Sequence, residues 1–154
     1  MELPKPEKLA QLVSNVTDTM LEMRFVPTEP ASNADGNLFY CNAILPIPGD
    51  EPLVLALSTT EQDCKALAGA MFACGPDETD NEMVVDAMSE LSNMCAGQLR
   101  GLLGLSQPLG LPRIEMGLNL IEKDVFWSWF VLASDRVKLL VSISTKNEIV
   151  QEYS

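Results

Sequence analysis

The sequence predicts an α+β domain: an antiparallel β-sheet flanked by helices, with one long helix in the middle of the chain. Three observations predict it. Each half of the chain runs helix first and strands after, and the strands are joined by short turns. A chain of 154 residues, 47% of them apolar, is long enough to bury a core of its own. The expectation is one domain spanning residues 1–154.

The elements follow in order. Leu9, Leu12, Val13, Val16 and Met20 recur at helical spacing, which predicts a first helix from Glu7 to Glu22. Pro27 to Gly36, rich in Pro, Asn, Asp and Gly, reads as a loop. Strands are expected at Leu38 to Leu45 and Leu53 to Leu57, joined by the turn Pro46-Ile47-Pro48-Gly49-Asp50. Ser58-Thr59-Thr60-Glu61 has the form of a capping box and opens a second helix to about Ala73, stopped by Gly75-Pro76. Thr79-Asp80-Asn81-Glu82 is a second such box, opening the longest helix, to about Arg100. Gly101 or Gly104 can end it. Three strands, Arg113 to Ile121, Val125 to Ala133 and Lys138 to Ser144, then read as an antiparallel meander turning at Glu122-Lys123-Asp124 and Ser134-Asp135-Arg136. The repeated order of elements hints at an internal duplication, which no residue-level repeat supports.

Composition excludes several classes of function. The net charge of -12 leaves no Lys/Arg patch for nucleic acid and none for an anionic membrane surface. The charged, proline-broken start is no signal peptide, and runs such as Val125 to Leu132 are too short to span a bilayer. Cys41, Cys64, Cys74 and Cys95 lie in or beside apolar segments without paired spacing, and read as free buried thiols of a cytoplasmic protein. The chain has no histidine. That removes Ser-His-Asp and Cys-His catalysis, histidine acid/base chemistry and nearly every zinc site. Neither a phosphate-cradling loop nor a dinucleotide fingerprint is present. Catalysis would have to run on carboxylates, amides or hydroxyls.

The long helix carries groups suited to that. At about 100° per residue, Val84, Met88, Leu91, Cys95, Leu99 and Leu102 lie within roughly 60° of one another and form the core stripe. Asp86, Glu90, Asn93 and Gly97, at i, i+4, i+7 and i+11, form a second stripe on the opposite side. No Lys or Arg joins them before Arg100. A mid-helix glycine costs about 1 kcal/mol relative to alanine, which points to close approach of another backbone at Gly97. By itself the stripe also reads as a solvated acidic face with a glycine admitted for helix packing. Gly101 and Gly104 read as packing and cap glycines. Trp127 and Trp129, two apart on one strand, read as core or dimer-interface residues. Met71, Met83, Met88, Met94 and Met116 read as core fillers.

Asp86-Ala87-Met88-Ser89-Glu90-Leu91-Ser92-Asn93-Met94-Cys95-Ala96-Gly97 resembles the signature helix of the CheX/CheC/FliY family of response-regulator phosphatases. That signature is Asp or Ser, three residues, Glu, two residues, Asn, then a glycine and a downstream proline. The flanking elements agree, and the resemblance covers roughly Leu38 to Gly117. Pro112 matches the downstream proline, a few residues nearer Asn93 than in the family, and Pro108 is nearer still. CheC-type members carry a second Glu-x-x-Asn on the first helix. Here Asn15 is the one candidate, and Leu12 stands three residues before it. The chain therefore resembles the single-site, CheX-like branch.

The resemblance implies a phosphatase acting on a CheY-like receiver domain phosphorylated on aspartate, with Glu90 and Asn93 as catalytic residues. Asn93 would orient water, and Glu90 would pair with the receiver's active-site lysine. Asp86, Gly97 and Pro112 would contact the partner. It further implies no cofactor or metal of the protein's own, Mg²⁺ residing in the receiver, and a homodimer. The alternative it leaves open is a non-catalytic docking or switch module of the same fold in chemotaxis or flagellar signalling.

Overall fold

The computed structural model describes residues 1–29, 37–123 and 126–154. Helix α1 (Pro6–Leu21) begins with proline in its first turn, where a missing N–H leaves no bond unmade. It ends on Glu22 in the left-handed conformation, and the Thr17 hydroxyl ties that end down by donating to the Met23 carbonyl at 2.8 Å. Strand β1 (Val26–Thr28) follows, where the sequence predicts the start of a loop. Pairing with Val131 to Ala133 draws Pro27 and Thr28 into the sheet edge, and 30–36 of that expected loop lie outside the described residues.

Strands β2 (Cys41–Ile47) and β3 (Leu53–Thr59) are buried along their whole length and pair from Cys41–Thr59 to Ile47–Leu53. β2 begins three residues later than expected and both strands end two residues later, so Ser58 and Thr59 are strand residues rather than a helix cap. Their hydroxyls are already engaged, Ser58 donating to Asn42 Oδ1 at 2.6 Å and Thr59 to the Lys138 carbonyl at 2.7 Å. Thr60 instead caps helix α2 (Glu61–Met71), accepting from the Asp63 N–H. A 3₁₀ turn at Pro76–Glu78 leads to helix α3 (Asn81–Leu102). Asp80 caps it, its carboxylate accepting from the Met83 N–H at 2.8 Å, while the Thr79 hydroxyl turns back to the Pro76 carbonyl. Gly104, at φ +67, turns the chain away beyond its end.

The remaining elements are β4 (Arg113–Met116), α4 (Leu120–Lys123), β5 (Ser128–Ala133), β6 (Lys138–Ser144) and α5 (Asn147–Tyr153). They correct the expected meander. β4 stops at Met116 and pairs with β2, not with β5. Gly117, at φ +68, then turns the chain, and the residues expected to complete the strand and its turn include the short helix α4. Asp124 and Val125 of that expected turn and strand lie outside the described residues. Only the β5–β6 hairpin of the three-strand prediction forms.

The six strands form one antiparallel sheet in the order β1-β5-β6-β3-β2-β4. Exchanging β1, β2 and β3 for β4, β5 and β6 reproduces this order in reverse. Each half of the chain lends its first strand to the other half's edge, which gives the hinted duplication a topological basis. One face packs Leu45, Leu55, Leu57, Leu139 and Val141 against α1, α2 and α3. The other packs Ile44, Val54 and Ala56 against Leu120, Trp127, Ile149, Val150 and Tyr153. The sheet centre is therefore covered on both sides, which is why β2 and β3 read as continuous apolar runs.

A buried amide closes one end of this arrangement. Asn42 donates from Nδ2 toward the carbonyls of Phe39 (3.1 Å), Glu115 (2.9 Å) and Leu118 (3.0 Å), and its Oδ1 accepts from Ser58. One side chain thus joins β2, β3, β4 and the turn before α4. Asn42→Ala is expected to lower the unfolding free energy by about 3 kcal/mol, because several buried polar groups lose their partner together. Urea unfolding checks this, and a loss below about 1 kcal/mol would contradict it.

Candidate functional site

Helix α3 packs on the sheet and against both α1 and α2, with Val84, Met88, Leu91, Cys95 and Leu99 buried. Leu102, expected on the same stripe, is exposed, since the helix outruns the sheet it covers. On the opposite side Asp86 and Glu90 are exposed, and Asn93 and Gly97 are half-buried. The structure thus brings together four of the five expected site residues on one outward stripe. Glu90 and Asn93 are neighbours three residues apart on one helix face, with Cβ atoms about 5–6 Å apart. Among the described residues, no hydrogen bond or ion pair engages Asp86, Glu90 or Asn93. An acid and an amide are presented side by side with their bonding capacity unused. Pro112 belongs to another element, half-buried one residue before β4.

The glycines divide differently from the sequence reading. A Cβ built on Gly97 or Gly101 meets nothing within 4 Å. Neither is a packing glycine, and the close backbone approach expected at Gly97 is not made by the described residues. The packing glycines lie elsewhere. Gly110 admits the Pro46 carbonyl, and Gly69 admits the Cys74 carbonyl, each 2.7 Å from where a Cβ would stand. Sequence gives no cue to the Gly110 contact, whose partner comes from a distant segment.

Other groups are committed to the fold. The four cysteines are free thiols, with Cys41, Cys64 and Cys95 buried. Burial pushes the Cys95 thiol up to about 12. The Cys41 thiol is also pushed up, first by its hydrogen bond with Cys64 and then by burial. Trp127 and Trp129 part company: Trp127 precedes β5 and packs edge-on against Tyr153 (6.4 Å between centroids), whereas Trp129 is exposed. Met88 is core, but Met94 and Met116 are exposed. Met94 and Val85 add exposed apolar surface on α3 on either side of the acid–amide stripe, and Leu102 adds more near the helix end. Among the described residues no group of three His, Cys, Asp or Glu is placed to hold a metal ion, and no helix is long and apolar enough to cross a membrane.

A free acid–amide pair on a long helix, with glycine one turn on, is the arrangement that the family comparison decides. The profile of CheX, described as the chemotaxis phosphatase CheX, matches residues 41–125, from β2 to the end of α4. The chain belongs to the CheX family. Solved CheX-like structures share the fold. The chemotaxis protein CheX from Vibrio vulnificus superposes with a TM-score of 0.70 at 16% identity, covering 88% of this chain and 92% of that one. CheX in a CheX–CheY–BeF₃–Mg²⁺ complex from Borrelia burgdorferi gives 0.67 at 15% identity, covering 93% and 98%. FliY from Thermotoga maritima gives 0.57 at 14%, covering 99% and 96%. No curated protein sequence matches the chain. The CheX match spans Asp86, Glu90, Asn93, Gly97 and Pro112, all five residues of the expected site.

Because nothing in the described chain occupies the space over Gly97, the Gly97→Ala variant is expected to gain about 0.5–1 kcal/mol of stability from helix propensity. Thermal melting of the pair measures it. A lower melting temperature for the variant would show that the open space is filled.

Proposed function

We propose that this CheX-family chain, acting as one domain, is a protein phosphatase that binds a CheY-like receiver domain and hydrolyses its aspartyl phosphate. The observation that carries the reading is the unpartnered Glu90–Asn93 pair on the outward stripe of α3. An acyl phosphate is a reactive bond, so the enzyme needs neither a nucleophile nor a metal of its own. It needs a water held in line with phosphorus, and positioning alone contributes several kcal/mol. The Asn93 amide accepts and donates hydrogen bonds and does not titrate, so it orients the water without acting as a base. Water oxygen bonds to phosphorus as the bond to the receiver's aspartate oxygen breaks, leaving a free carboxylate and inorganic phosphate. The Mg²⁺ bound to the receiver offsets the charge on the phosphoryl oxygens.

Glu90, one turn before Asn93, pairs with the receiver's active-site lysine and fixes the docking register. Asp86 extends the acidic end of the stripe, Gly97 lets the receiver backbone come close, and Pro112 completes the partner contact. The protein works in the cytoplasm as a homodimer built partly on its sheet. Val26 on edge strand β1, Met116 on edge strand β4 and Trp129 on neighbouring β5 are exposed apolar groups at the sheet edges. A docking or switch module of the same fold would have no use for a free amide beside a free acid.

Three measurements test this. Asn93→Ala is expected to lower phosphate release from phosphorylated receiver by about 10²–10³ while leaving folding and receiver binding intact. Near wild-type turnover would remove Asn93 from the mechanism. Glu90→Ala is expected to weaken receiver binding, and Glu90→Lys to weaken it further by like-charge repulsion. Titration against phosphorylated receiver decides, and equal affinities for all three proteins would contradict the pairing. Light scattering at micromolar concentration is expected to give a dimer mass, and a monomer mass would reject the sheet-built assembly.

A further inference from the structure

The receiver's footprint under this reading is too small if it stops at α3. Four stripe residues are a fraction of the roughly 20–30 residues per side that a standard protein–protein interface uses. The partner must therefore continue onto a neighbouring element. The grooves that α3 lines point to which one. Gln98 and Leu102 line a groove of about 140 Å³ with Lys8, Gln11, Leu12 and Asn15 of α1. Leu102 and Leu103 line a second with Leu3, Lys5 and Lys8. By contrast, the groove lined by α2 opens toward Pro76 and Arg136 and takes in no residue of α3.

Going round α3 from the stripe at about 100° per residue, Met94, Gln98 and Leu102 step away from Gly97 toward α1. All three are exposed, and so are Lys8, Gln11 and Asn15 across the groove. The open space over Gly97 and Gly101 makes the surface between them smooth. Its charge is also graded. The stripe end carries Asp86 and Glu90, whereas the α1 end carries Lys8, which among the described residues bonds only to the nearby Gln11 Oε1 at 3.5 Å.

We infer that the receiver domain lies across both helices, and that Lys8, Gln11 and Asn15 of α1, with Met94, Gln98 and Leu102 of α3, select which receiver is bound. This rests on the phosphatase reading and deepens it. Glu90 takes a cation of the receiver and Lys8 takes a carboxylate, so opposite charges at the two ends fix which way round the partner sits. Asn15 stands at the end of the α1 side opposite Lys8, a short polar group in whose place an arginine would rise above the surface.

The test uses full-length protein and a receiver domain from the same genome loaded with beryllofluoride and Mg²⁺. Lys8→Glu and Asn15→Arg are expected to weaken binding about tenfold each. In turnover assays on phosphorylated receiver, the loss is expected in KM rather than in kcat. Both positions are exposed, and thermal melting verifies that each variant is folded. Glu90→Ala serves as the control. If it loses affinity while both α1 variants bind like the parent, the footprint leaves out α1 and this inference is wrong. If all three bind like the parent, the phosphatase reading itself fails. A fall in kcat at unchanged affinity for the α1 variants would also overturn the inference, since it would put them in chemistry rather than selection.

Discussion

The constraint on which the structure depends is burial of the sheet centre on both faces. Strands β2 and β3 expose no side chain, so both of their faces need a cover. Helices α1, α2 and α3 supply one, and α4 with α5 the other. A helix recruited as a cover must give its apolar side to the sheet, which leaves the other side for something else. In α3 the core stripe fixes the helix's rotation, and that rotation turns Glu90 and Asn93 outward. The rigidity of the outward stripe therefore comes from packing on the far side of the helix. Asn42 shows the same economy among polar groups: a buried amide is tolerated because its bonding capacity is used to join three strands and a turn.

How much of this was legible in the sequence depends on length and locality. Helix α3 has 22 residues, enough turns for periodicity to fix which side is core. Its outward stripe could therefore be read residue by residue. Helices α4 and α5 have 4 and 7 residues, too few for a period to declare itself, although Ile149, Val150 and Tyr153 do share a helical face. The caps were displaced by one or two residues because Ser58 and Thr79 are as competent in isolation as Thr60 and Asp80. What separates them is that Ser58 and Thr79 are engaged elsewhere. The partner of β4 was not legible at all, because Glu122-Lys123 looks like a turn and nothing local reveals that the strand before it pairs with β2.

The site was legible in its residue types and not in its surroundings. Spacing put Asp86, Glu90, Asn93 and Gly97 on one line, and the fold keeps them there. That Gly97 stands under open space, or that α1 forms the other wall of a groove with Gln98 and Leu102, depends on contacts between segments far apart in the chain. A glycine held in open space on a helix costs local stability that no contact among the described residues accounts for.

The exchange of edge strands also bears on how the chain reaches its native state during synthesis. β1 has no partner until β5 has been made, and β2 gains its outer neighbour only when β4 arrives. β3, at the centre, waits for β6, which follows it by some eighty residues of chain. Neither half can complete its own sheet, so cooperative folding waits until β6 has been made. The contacts that close the sheet are distant in sequence, which places this chain among slow folders for its size. Until then the β2–β3 hairpin, apolar on both faces, stands with both edges open. A nascent chain of this topology is a natural client for chaperones that hold unpaired strands.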